Sequence, residues 1–179
     1  TEKVGQLSRW QTRAKERMNT KLFDDQLNAY VYYDLRNERK LSHVSSSSFA
    51  PLMAGIPTKE QADRIVRHFQ GGRFSGAKHE NFLCASFDPG SEFFNSKKYW
   101  RGPIWINLNW IIYRGLRRYG YDEIADIIRK DTLYLMEKYG FYEYFEPSKE
   151  VNKSLAKGYG GNNFSWSAAL TIDLLTNKI

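Results

Sequence analysis

The segment GFYEYFEP, residues 140–147, sets two carboxylates, Glu143 and Glu146, three positions apart among four aromatic rings. A carboxylate held within reach of a proton serves as a general acid or base. Two other loops are equally rich in rings. Residues 93–102 carry Phe93, Phe94, Tyr99 and Trp100, and residues 159–166 carry Tyr159, Phe164 and Trp166. Flat ring faces cover C–H groups while their O–H and N–H groups bond, which suits an amphipathic ligand such as a sugar. Phe93, Phe94 and Phe145 read as plain core. Tyr99, Trp100 and Trp105 read as pocket, because YWRGPIW sets them beside Arg101 at a helix N-terminus.

The elements that must position these residues are helical. Leu7, Trp10, Ala14, Met18 and Leu22 recur at spacings of three and four, which predicts an amphipathic helix over 2–22. DDQLNAYVYYD follows as a short extended stretch after a turn. SSSSFAPLMAGIP reads as a buried helical turn closed by Gly55 and Pro57, with nothing further to read in its four serines. TKEQ, residues 58–61, is a capping box ahead of the apolar positions Ile65, Val66 and Phe69. Residues 70–102 are loop-rich, and a loop of that length in a compact domain is usually functional. Pro103 fits the first turn of a helix that is apolar on nearly all sides, and so buried, until it turns basic before Gly120. Ile124, Ile127, Ile128, Leu135 and Met136 stripe one side of the next, outer helix. A last apolar helix starts near FSWSAALTIDLL, with Asn163 or Ser165 as its cap. Paired buried and amphipathic helices, without a βαβ unit, point to an all-α fold of the toroid type, whose loops gather at one end into a pocket.

Composition narrows the function classes. The chain has 179 residues, 41% hydrophobic and 26% charged, enough for one domain with a real core. Aromatic content of 16% argues against disorder. No apolar run is long enough to cross a bilayer, and TEKVGQLSRW carries no signal-peptide core. The single Cys84 has no internal disulfide partner and fits a reducing compartment, which gives a cytoplasmic expectation. His43, His68 and His79 lack metal-ligand spacing, so neither a metal nor a cofactor is expected. The net charge of +7 is scattered among acids, so a solvated surface is the reading preferred over nucleic-acid binding.

YWRGPIWINLNW, GFYEYFEP and GGNNFSWSAAL, in that order, resemble the C-terminal half of the glycoside hydrolase family 63 catalytic domain. LFDDQLNAYVYYD and SSSFAPLMAGIPTKEQADRIV extend the resemblance over nearly the whole chain. It is nearest to bacterial and archaeal members acting on small α-glucosides, glucosylglycerate or mannosylglycerate. The resemblance implies an (α/α)6 barrel and inverting hydrolysis, with two carboxyl groups roughly 6.5–9.5 Å apart. It makes Glu143 the general base. It places Tyr99, Trp100 and Trp105 around the reacting sugar and gives Arg101 a sugar hydroxyl or a loop to hold, the alternative for Arg101 being a buried salt bridge. Trp166 reads as pocket or core. Asn109 and Trp110 read as core, and Glu146 as a loop carboxylate facing water.

The resemblance also implies something missing. The general acid is expected to be an aspartate upstream of the region matching residues 1–22. Asp24, Asp34 and Asp88 fall in segments matching other parts of the pattern, and Asp88 in FDPG reads as a turn residue. Residues 1–179 then read as one incomplete barrel domain, about half a toroid, inactive alone. Its open apolar side would be covered by a complementary chain or by self-association. The rival reading is a carbohydrate-binding remnant of the same fold without catalysis.

Overall fold

The computed structural model of the chain describes residues 2–74, 81–148 and 158–176. In chain order these form α1 (Glu2–Lys21), β1 (Phe23–Asp24), β2 (Ala29–Tyr30), β3 (Tyr33–Asp34), β4 (Arg39–Lys40), a 3-10 helix (Ser46–Leu52), α2 (Lys59–Gln70), α3 (Ile106–Arg118), α4 (Asp122–Tyr139), β5 (Tyr144–Phe145), β6 (Gly158–Tyr159) and α5 (Ser165–Thr176). The two-residue strands pair antiparallel, β1 with β2 and β3 with β4 as hairpins, and β5 with β6.

Local chemistry explains most of the boundaries. The stretch after α1 is two hairpins rather than one extended run, because two aspartates fold the chain back. Asp24 Oδ1 accepts the N–H groups of Gln26 and Leu27, and Asp34 Oδ1 accepts those of Arg36 and Asn37. The capping box ahead of α2 forms in both directions. Thr58 Oγ1 accepts the Gln61 N–H at 3.1 Å, and Gln61 Oε1 accepts the Thr58 N–H at 2.9 Å. Pro103 does not open α3. The helix begins at Ile106 with Trp105 as its cap, because Ile104 is held in a backbone bridge to Phe145. Likewise α5 begins at Ser165, and Asn163 takes a left-handed backbone with φ 58°.

Helix α3 is the inner helix. Ile106, Asn109, Ile112, Tyr113, Gly115 and Leu116 are all buried in it. It packs on the 3-10 helix on one side and on α4 and α5 on the other. Gly115 makes the first contact possible, since a Cβ there would lie 2.6 Å from Leu52 Cβ and 2.8 Å from the Met53 nitrogen. The outer helix α4 turns Ile124, Ile128, Leu135 and Met136 inward. Ile127, expected on that stripe, is exposed instead. It lies three residues past Ile124 but one before Ile128, at the stripe's solvent edge.

Two apolar clusters result. The larger joins Phe49, Leu52, Ile65, Phe69, Phe74, Ile112 and Leu116 with the β1–β2 hairpin. The smaller, built on Phe82, Ile104, Ile106, Leu135, Met136 and Phe145, underlies the ring-rich loops.

Helix α1 departs from the expected pattern of burial. Met18 and Leu22 pack against the larger cluster, but Leu7 and Trp10 are exposed and α1 contains no buried residue. Ile172 and Leu175 of α5 are exposed as well. An amphipathic stripe predicts burial only where a neighbour stands opposite it, and these stripes have no neighbour among the described residues. No helix among those residues is long and apolar enough to cross a membrane, and no cluster of His, Cys, Asp or Glu there fits a metal ion. His79 lies outside the described residues.

Candidate active site

Strand β5 arranges the two glutamates through its twofold alternation. Phe145 anchors the strand, fully buried, and exchanges both backbone hydrogen bonds with Ile104, at 2.8 and 2.9 Å. That bridge brings the 99–105 loop against the 141–146 loop. Glu143 shares the strand side of Phe145 but sits at its rim, half-buried. Tyr144 and Glu146 share the other side and both meet Tyr159. Tyr144 stacks on its ring at 5.6 Å, and Glu146 Oε2 accepts its phenol at 3.0 Å.

Glu143 is held through its side chain and its backbone. Its Oε1 accepts the Tyr99 phenol at 2.8 Å. Its backbone N–H donates to Tyr159 O at 3.1 Å, and its Oε2 lies over Gly160. The bond to Glu143 is the main cause that holds the Tyr99 phenol above its ordinary range, so Tyr99 stays a donor. Burial first, and Glu146 second, push Tyr159 up to about 12.

Rings wall this carboxylate. Trp100 stacks on Trp105 at 3.8 Å and 11°, Trp105 on Tyr144 at 5.0 Å, and Tyr144 on Tyr159, as one column. Tyr99 stands edge-on to Trp105 at 4.7 Å and to Tyr144 at 5.2 Å. Helix α5 closes the group. Ser167 Oγ donates to Tyr142 O at 2.6 Å and the Phe164 N–H to Phe141 O at 2.7 Å, which sets Trp166 6.1 Å from Trp105.

The predicted residues therefore come together, in different capacities. Tyr99 and Trp100 are about half exposed, at 46% and 47%, and offer surfaces to a ligand. Trp105 is 1% exposed, so neither face is open. It lies beneath the exposed rings, its Nε1 donating to Tyr99 O at 2.9 Å. Arg101 takes the loop-holding alternative, donating from Nε to Phe93 O at 2.8 Å. It makes no ion pair among the described residues. Trp166 is partly buried, and its Nε1 is a buried donor without an acceptor among those residues. Asn109 is core as expected, donating to Leu83 O, and Trp110 is partly buried, donating to Asp173.

Two readings are corrected. Glu146 is 7% exposed and bonded to Tyr159, not a carboxylate facing water. Phe93 is exposed rather than core. Asp88 is a turn residue as expected, accepting the Gly90 N–H, and its other oxygen is paired with Arg73 at 2.5 Å. Sequence reasoning missed Tyr144 and Tyr159 as column members and Gly160 as a clearance. The alternation in EYFE was the available signal, because it puts Glu146 on the Tyr144 face.

Gly160 gives a test of the geometry. Its φ is 75°, and a Cβ on it would lie 2.3 Å from Glu143 Oε2 and 2.6 Å from Glu143 Cβ. Gly160→Ala should displace the carboxylate with little effect on the distant larger cluster. The expected result is a lower melting temperature, from a loss of about 1–2 kcal/mol for alanine at a left-handed φ, together with loss of the Tyr99–Glu143 bond, read as a fall in the Tyr99 phenol's titration midpoint.

The arrangement can do one thing well: present an oriented carboxylate, shielded by rings on one side and open on the other, to a small polar molecule. The family described as the mannosylglycerate hydrolase MGH1-like glycoside hydrolase domain matches residues 1–167. The chain is 33% identical over 160 residues to a mannosylglycerate hydrolase of Rubrobacter radiotolerans, covering 89% of this chain and 35% of that one. It is 29% identical over 153 residues to a glucosylglycerate hydrolase of Mycolicibacterium hassiacum, covering 85% and 33%. Its fold is similar to the crystal structure of a GH63 mannosylglycerate hydrolase of Thermus thermophilus in complex with glucose. The TM-score there is 0.84, with 34% identity over 96% of this chain and 41% of that one. The chain thus spans about a third of the length of the curated relatives it matches.

Proposed function

The chain belongs to the MGH1-like glycoside hydrolase domain family, and from that premise we propose that it is the base-bearing portion of an inverting α-glycosidase. Its substrates are small α-mannosides or α-glucosides, of which mannosylglycerate and glucosylglycerate, the substrates named for its relatives, are the first to test. The observation that carries the reading is the Glu143 carboxylate, fixed at 2.8 Å by Tyr99 within a wall of stacked rings.

In this reading Glu143 takes a proton from a water molecule as that water's oxygen bonds to the anomeric carbon. The glycosidic bond breaks, and an acid on the opposite face protonates the departing oxygen. The open face of Trp100 covers sugar C–H groups. The acid comes from outside this chain. Asp24 and Asp34 are turned into their own hairpins, and Asp88 is paired with Arg73. The exposed apolar faces of α1 and α5 are where the remainder of the (α/α)6 barrel would pack, on a complementary segment or chain. A reducing compartment such as the cytoplasm fits the buried, unpaired Cys84.

The test combines the chain with a polypeptide holding the N-terminal remainder of the Thermus relative. The chain alone should release no sugar from either glycerate glycoside. The co-eluting pair should release the β-anomer first, followed by proton NMR. A pair that co-elutes, binds the sugar and stays inert would favour the carbohydrate-binding reading. Turnover by the chain alone would refute the need for a second carboxyl source.

A further inference from the structure

We propose that the arginine-lined cavity at the C-terminal end of α3 is a binding site for a phosphate dianion, carried as a monoester on a small organic molecule. It stands apart from the Glu143 site. Trp105, beneath that site, caps the start of α3, while Arg117 and Arg118 end the helix, which at 13 residues is about 20 Å long. The cavity measures about 440 Å³ and is lined by Met53, Arg114, Arg117, Arg118 and Asp122. That volume falls among small-molecule sites of roughly 300–1,000 Å³.

Three features select the ligand. First, charge that is scattered along the sequence is gathered here. The run RGLRR sets Arg117 and Arg118 three and four positions after Arg114, on one helix face. The last turn of a helix suits cations, but its dipole does not bring Met53 and Asp122, from other elements, around them. Three guanidinium groups against one carboxylate leave two positive charges, which a phosphate monoester matches near neutral pH. Second, the arginines are placed in advance. Arg114 lies over the Trp110 ring at 5.7 Å. Arg118 lies against Gly55, where a Cβ would stand 2.8 Å from its Nε and 2.9 Å from its Nη2. Arg117 is paired with Asp122 at 3.3 Å. Neither Arg114 nor Arg118 makes an ion pair among the described residues, and both are open to solvent, Arg118 the more so. A guanidinium held in place presents a planar fork of donors that fits phosphate oxygens in pairs. Third, a bare phosphate fills only part of the cavity, and Met53 gives the rest an apolar wall. That favours a phosphate on an organic body over the free ion.

Isothermal titration calorimetry of the chain with sodium phosphate and with D-glucose 6-phosphate, at constant ionic strength, tests the site. Saturable binding of both is expected, tighter for the sugar phosphate. Arg114→Gln and Arg118→Gln should each weaken it by about tenfold or more, as for loss of a hydrogen bond to a charged group. Two positions keep the test open should one variant fail to fold. Asp122→Asn removes the one carboxylate of the lining and should tighten binding by about two- to fivefold. Arg36→Gln removes the same charge from an exposed turn elsewhere and should change nothing. Trp100→Ala, which strips a ring from the Glu143 site, should also leave the affinity unaltered, so failure of the glycosidase reading does not carry this one with it. The chain complemented by the N-terminal remainder of the barrel should bind as the chain alone does. Equal affinity for the two probes would overturn the monoester and leave inorganic phosphate as the ligand. No saturation with either phosphate, unchanged affinity in both arginine variants, or loss of binding in the complemented pair overturns the site.

Discussion

Glu143→Gln, placed in the complemented barrel, is expected to lower kcat by about 10²–10⁴-fold, the usual contribution of a positioned general base. The amide is nearly the same size, and its oxygen can still accept the Tyr99 phenol, so ligand binding should be little changed. What the amide cannot do is take the proton of the attacking water. A fall in kcat with KM preserved is the signature of a group that acts in the transition state only. The matched control is Glu146→Gln. Its oxygen can still accept the Tyr159 phenol, and turnover should remain near that of the unaltered protein. If Glu143→Gln loses less than about tenfold, the base lies elsewhere. If Glu146→Gln loses as much as Glu143→Gln, the two carboxylates act as one unit and the assignment of the base to Glu143 alone fails.

The second large effect concerns stability. Trp105→Ala should cost about 3–5 kcal/mol, the range for emptying a buried aromatic site. Small domains have only about 5–15 kcal/mol in all. Trp105 is almost wholly buried between Trp100 and Tyr144, and its indole N–H secures the Tyr99 carbonyl. Its removal leaves a cavity under the ring column and frees the residue that holds Glu143. Urea unfolding should show the loss directly, and Trp105→Phe, which keeps most of the ring volume, should lose much less. A cost of under about 1 kcal/mol for the alanine variant would mean that the neighbouring rings collapse into the space, so that the column is not structural.

How legible the site was depended on the range of the interaction. The motifs YWRGPIW and GFYEYFEP were identifiable as pieces of one site because each carries several rings within a few residues. Their meeting depends on the Ile104–Phe145 bridge, which joins residues 41 positions apart and leaves no periodic trace in either segment. The division of labour among the tryptophans was invisible for the same reason. Trp100 and Trp105 are chemically identical and five residues apart, yet one is open and the other sealed, because only Trp105 lies under both neighbours. The serine run 45–48 carried no usable pattern, since a hydroxyl's role depends on whether a partner reaches it.

What the sequence by itself determined was local. The Thr58–Gln61 cap, the buried character of α3 and the family motifs were all readable within one or two turns of chain. The tertiary structure alone decided which apolar faces are covered, which glutamate is buried and which tyrosine each glutamate meets. The physical reason is that burial and hydrogen-bond satisfaction belong to the partner opposite a residue. The Leu7–Trp10 face of α1 has the same spacing of apolar residues as a buried face, but no partner stands opposite it among the described residues.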